Sequence, residues 1–79
     1  EEYLIKKNIL SDSLEYLNER ERDIISERQL SENPLTLEEL SNRYGVSRER
    51  IRQIEAKAFE KLQTKMTEKA KDINLLQYN

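Results

Sequence analysis

Arg48, Glu49, Arg52 and Gln53 directly follow Gly45-Val46-Ser47 and begin a stretch whose other residues are spaced for a helix. Each of these side-chain types can bond a base edge: Arg with guanine, Glu with the cytosine amino group, Gln with adenine. At about 100° per residue, Ile51, Ile54, Ala58 and Leu62 gather on one side of such a helix. Arg48, Glu49, Arg52, Gln53 and Lys57 fall nearly opposite. One face is built to pack and the other is left to read, which is how the second helix of a helix-turn-helix enters a DNA major groove.

Those residues need a support, and the preceding segment supplies one. Thr36 followed by Glu39 is a capping box that starts a short helix ending at Tyr44. Gly45, the only glycine, can take the left-handed conformation of a sharp turn, and Ser47 caps the helix that follows. Apolar Leu40, Val46, Ile51 and Ile54, with small Ser41, complete the pattern over about residues 36–62.

Upstream, Leu10, Leu14 and Leu17 suggest a helix over about Tyr3 to Leu17, with Ser11 a point of interruption. Asn18 and Glu21 form another capping box, opening a helix from Glu19 to about Leu30 with Arg20, Arg22 and Arg28 directed outward. Pro34 breaks the chain before Thr36. The last helix is expected to reach about Lys69, leaving 72–79 as a frayed tail or an adhesive peptide. The expectation is therefore all-α: one small four-helix domain over residues 1–79 with a C-terminal helix-turn-helix.

Composition narrows the function. At 79 residues, 38% charged and 35% apolar, the chain has only a thin core and no room for a large enclosed active site. With neither Cys nor His there are no disulfides, no thiolate or imidazole metal ligands and no His general base, so no metal, cofactor or enzymatic activity is expected. No apolar run approaches the roughly 20 residues of a membrane span and the start does not resemble a signal peptide, so a cytoplasmic location is expected.

The net charge of −2 is divided unevenly. Residues 47–71 hold eight Lys and Arg against four Glu, a net +4, whereas residues 1–46 hold six Lys and Arg against eleven acids, a net −5. This asymmetry, more than the total, governs steering toward phosphate.

The run Val46-Ser47-Arg48-Glu49-Arg50-Ile51-Arg52-Gln53-Ile54-Glu55-Ala56-Lys57-Ala58, preceded by Thr36-Leu37-Glu38-Glu39-Leu40, resembles conserved region four of bacterial sigma factors of the housekeeping class. Leu17-Asn18-Glu19-Arg20-Glu21-Arg22-Asp23-Ile24-Ile25 resembles the subregion before it, so the likeness covers about Ser13 to Leu62. The link Glu27 to Leu35, with Phe59-Glu60-Lys61-Leu62-Gln63, is most similar to heat-shock sigma factors.

The resemblance implies the C-terminal domain of a longer cytoplasmic bacterial protein that brings core RNA polymerase to promoters by reading double-stranded DNA at the −35 element. Carried over by position, Arg48, Glu49, Arg52 and Gln53 would touch base edges. Arg20, Arg28, Thr36, Leu37, Ser47, Arg50 and Lys57 would touch the DNA backbone. It further implies an apolar groove for the β-subunit flap of polymerase, with Leu10, Leu14, Ile24, Ile25 and Leu30 as candidates, and an anti-sigma factor as a competitor for it. Glu60 stands where housekeeping factors commonly carry a basic residue, which weakens activator contacts there.

Several residues have plainer readings. Arg48 and Arg52, or Arg20, Arg22 and Arg28, can be solvated charges, and Glu49 can simply favour the positive N-terminus of its helix. Lys61, Lys65, Lys69 and Lys71 fit a solvated face. Rival functions are a helical protein-docking module, or another helix-turn-helix regulator acting as a dimer on paired half-sites.

Overall fold

Apolar residues three or four positions apart give a helix one stripe to bury, and Ile51, Ile54, Ala58 and Leu62 are all buried. The computed structural model describes the backbone of residues 2–78 and the side chains of residue 4 and residues 7–72. Among these, the helices are α1 (Glu2–Leu14), α2 (Glu19–Ile25), α3 (Leu37–Tyr44) and α4 (Arg48–Tyr78), with a π-helical turn at Ser26–Leu30 continuing α2. The expected all-α architecture with a C-terminal helix-turn-helix is what is found.

Helix α4 serves two clusters. Its first turns join Ile51 and Ile54 to Ile24 and Leu40, with Leu35, Leu37, Tyr44 and Val46 packed around them. Further along, Ala58 and Leu62 meet Leu17 and Ile25, with Leu10, Leu14 and Met66 at the margin. The adjacent residues Ile24 and Ile25, both fully buried, point from α2 into different clusters and so clamp α2 along α4.

Local signals set the element boundaries. Asn18 and Glu21 make the reciprocal capping box, with bonds of 3.0 and 2.8 Å. Thr36 and Glu39 do the same at 3.1 Å each. Gly45 ends α3 at φ 66°, ψ 33°, its amide donating to the Ser41 carbonyl. The Ser41 hydroxyl donates onward to the Val46 carbonyl, so the small residue before the turn also fastens it.

The structure departs from the sequence expectations at several points. Ser11 does not interrupt α1, which ends at Leu14 and not Leu17. Residues 15–17 follow as tight turns with amide bonds three residues back. Arg22 is not simply outward: it donates to the carbonyls of Leu14 (3.1 Å) and Leu17 (2.9 Å), satisfying the end of α1.

The last helix runs past Lys69 to Tyr78. The apolar side chains proposed for the tail, from Ile73 on, lie outside the described residues. Nor is the lysine face only solvated. Lys61 pairs with the buried Glu21 at 2.8 Å, and the Lys65 and Lys69 ammonium groups lie 4.4 and 5.6 Å from the centre of the Tyr16 ring. Lysines spaced four apart on α4 face the α1–α2 junction, which carries the carboxylate and the ring that attract them.

An added Cβ at Gly45 would meet no atom within 4 Å, so Gly45→Ala carries only the backbone penalty of the left-handed region. It should lower unfolding stability by about 1–2 kcal/mol, and Gly45→Asn by less, as read from denaturant midpoints.

For Glu21, burial pushes the carboxyl upward, but the Lys61 ammonium and the Asn18 amide outweigh it and hold the group below the ordinary glutamate range. A depressed folded value means its stabilisation is complete above the unfolded value, about pH 4.3, and is lost as pH falls through the folded one. Glu21→Gln should therefore cost of order 1 kcal/mol at neutral pH and leave thermal stability less sensitive to acid.

Candidate nucleic-acid interface

Burying Ile51 completely and Ile54 to 6% exposure turns the opposite side of α4 to solvent. Arg48, Glu49, Arg52 and Gln53 are all exposed there, with Lys57 one turn further along. Ser47 starts the helix as expected, its hydroxyl accepting from the Arg50 amide at 3.0 Å, and Arg50 is exposed beside it.

The start of α3 meets the start of α4 at a shallow depression lined by Arg28, Thr36, Leu37, Glu38, Arg48, Glu49 and Arg52. Three guanidinium groups face two carboxylates there, and the positive end of the α3 dipole lies at the rim. Concave, cationic and built on helix starts, the depression has the features of a phosphate-backbone grip.

Arg28 is not the free outward charge that its position suggested. Its Nε donates to both Glu55 carboxylate oxygens at 3.3 Å and its Nη1 to the Leu35 carbonyl at 3.1 Å. Gln29 adds a 2.7 Å bond to Glu55, which is 8% exposed. The π turn, the Pro34 link and α4 are thereby tied at one carboxylate. Arg20 does not join this group. It is exposed and lines a second depression with Asn18, Glu19, Arg22, Asp23, Ser26 and Tyr44, which has no residue in common with the first.

Asp23 locks α2 to α3 by accepting from Arg43 at 2.9 Å and from the Tyr44 hydroxyl. Burial and the Asp23 carboxylate both raise the Tyr44 phenol above its ordinary range. On the reading face, Glu49 and Arg52 are joined by several hydrogen bonds, and the Arg52 guanidinium holds the Glu49 carboxyl below its usual range.

Glu55 was not among the residues picked out for the site, although its position carried a signal. It lies four residues after Ile51 and three before Ala58, on the buried stripe itself, where a carboxylate requires hydrogen-bonding partners. Among the described residues, every buried side-chain nitrogen and oxygen has such a partner. Among the described residues no group of acidic side chains is arranged to hold a metal ion, and no helix is long and apolar enough to cross a membrane.

The model of the family described as sigma-70, region 4, matches residues 13–64, a span that contains α3, the turn and the first part of α4 with its exposed Arg48–Gln53 face. The chain belongs to the sigma-70 region 4 family. It is 55% identical over 76 residues to the RNA polymerase sigma factor RpoH of Zymomonas mobilis, covering 96% of this chain and 25% of that protein. With RpoH of Caulobacter vibrioides it shares 53% identity over 70 residues, 89% of this chain and 24% of the relative. The RNA polymerase sigma-B factor of Myxococcus xanthus is 46% identical over 50 residues, 63% of this chain and 20% of that protein. The chain thus spans about a quarter or less of the length of these relatives.

Within this region 4 domain, the two kinds of arginine should separate experimentally. Arg28→Ala leaves buried Glu55 with a neutral partner only and should cost about 1–3 kcal/mol of folding stability. Arg48→Ala, on the exposed face, should change stability by no more than about 0.5 kcal/mol. Thermal unfolding of the two variants side by side checks the assignment.

Proposed function

We propose that this chain is the promoter-reading C-terminal domain of a heat-shock-type RNA polymerase sigma factor, a non-enzymatic module that recognises the −35 element as double-stranded DNA in the bacterial cytoplasm. The observation that carries the reading is the exposure of Arg48, Glu49, Arg52 and Gln53 on the side of α4 opposite buried Ile51 and Ile54, beside the start of α3. The names of the relatives, each an RNA polymerase sigma factor, support the same class.

In this mechanism the phosphates are gripped first and the bases read second. Leu37, the first residue of α3, presents its amide to the DNA backbone with Thr36 and Ser47 beside it at the two helix starts, and Arg28, Arg50 and Lys57 add cations. Arg28 contributes through the part of its guanidinium not engaged by Glu55 and Leu35. Arg20, exposed in the other depression, is assigned a phosphate flanking the element. The quartet then enters the major groove, where each good two-bond pairing discriminates by about 1–3 kcal/mol.

Contact energy is modest in so small a domain with an acidic N-terminal half. Attachment to core RNA polymerase supplies the missing affinity as effective concentration. Of the apolar residues expected to receive the β-subunit flap, Ile24 and Ile25 are committed to the core, whereas Leu30 is 45% exposed and Leu10 and Leu14 are partly so. These last three remain the candidates for the flap and for a competing anti-sigma factor.

Selection from a random duplex pool tests the function. The chain should enrich one defined sequence, and Lys57→Ala should weaken binding to all sequences alike while reducing the salt slope by about one. A pool that emerges without any preferred sequence contradicts promoter reading, and a sequence-selective effect of Lys57→Ala contradicts its backbone role.

A further inference from the structure

Glu49 and Arg52 lie one turn apart on the reading face, with side chains 55% and 61% exposed. The Arg52 Nε donates to the two Glu49 oxygens at 2.9 and 3.0 Å, and Nη2 donates to Oε2. A guanidinium carries five hydrogens in a flat fork. Glu49 occupies its side edge, made by Nε and Nη2, and leaves the end edge, made by Nη1 and Nη2, directed away from the carboxylate.

We propose that Glu49 and Arg52 form one preassembled reading unit, in which Glu49 is a positioning residue that aims the end edge of Arg52 at the O6 and N7 of a guanine. This deepens the DNA-reading assignment above and rests on it. At the surface of the free protein such a pair adds little to folding, because water screens it and two long side chains are held still. In a groove from which water is displaced, the same pair has a different value. An arginine already held in place loses less freedom on contact, and a carboxylate already matched to a cation is not left bare against the phosphates. The pair thus resolves how an acidic side chain is tolerated on a phosphate-facing surface.

The experiment first selects the preferred duplex of the wild-type chain, then measures relative affinity for each single-base variant of it with Glu49→Gln, Arg52→Ala and the double variant. Arg52→Ala should reduce the preference for one guanine by about 5- to 150-fold. Glu49→Gln should reduce the preference at that same base pair by about twofold or more, and the double variant should be no worse there than Arg52→Ala alone. Arg52→Lys, which keeps the charge but not the fork, should lose the guanine preference while retaining affinity for random duplex.

Helical content measured by circular dichroism should be unchanged in every variant, since neither side chain is in the core. If Glu49→Gln alters only a different base pair and the two effects multiply, Glu49 is an independent reader; the unit is overturned while DNA reading stands. A wild-type chain with no base preference overturns both.

Discussion

Packing of Ile51 and Ile54 against Leu40 and Ile24 fixes the rotation of α4 about its own axis. Each buried isoleucine favours that rotation by about 1.5–3 kcal/mol, and a shift of one residue would swing the stripe through roughly 100° into water. The exposed quartet therefore needs no device of its own to face outward. Its orientation is a consequence of what the other side of the helix must bury.

Polar contacts then turn this packing into a single rigid unit. Glu55 gathers Arg28 and Gln29, Asp23 gathers Arg43 and Tyr44, and Glu21 joins the start of α2 to Lys61. In each case a carboxylate on one element accepts from donors on another. A core this thin leaves the relative angles of α2, α3 and α4 underdetermined by apolar contacts alone, and directional bonds remove that freedom. The geometry of the reading face depends on them, since the depression beside it is lined from the π turn, the start of α3 and the start of α4 together.

Features set by a few neighbouring residues were legible in the sequence. Both capping boxes, the left-handed turn at Gly45 and the stripe of Ile51, Ile54, Ala58 and Leu62 depend on spacings within two turns of chain, and all are present. What depended on contacts distant in sequence was not. The role of Arg28 is set by Glu55, 27 residues away, and that of Lys61 by Glu21, 40 residues away. Nothing in a charge pattern says which partner folding will bring near. The π turn at Ser26–Leu30 was missed for a related reason: its residues are compatible with an ordinary helix, and its place in the fold is held by the Leu35 amide bond to Glu27 and by Arg28. The pairing of Glu49 with Arg52 was within reach of sequence reasoning, because three positions apart on a helix is contact distance.

The surface proposed to meet DNA is the exposed start of α4, backed by the start of α3. Amide NMR chemical shifts of the chain, recorded with and without a selected duplex, locate that surface residue by residue. The largest changes should fall at residues 36–38 and 47–57, with the Leu17, Ile25 and Leu62 end undisturbed. Changes centred instead on the separate depression of Asn18, Arg20, Asp23 and Tyr44, with Arg48 to Gln53 unmoved, would contradict this placement.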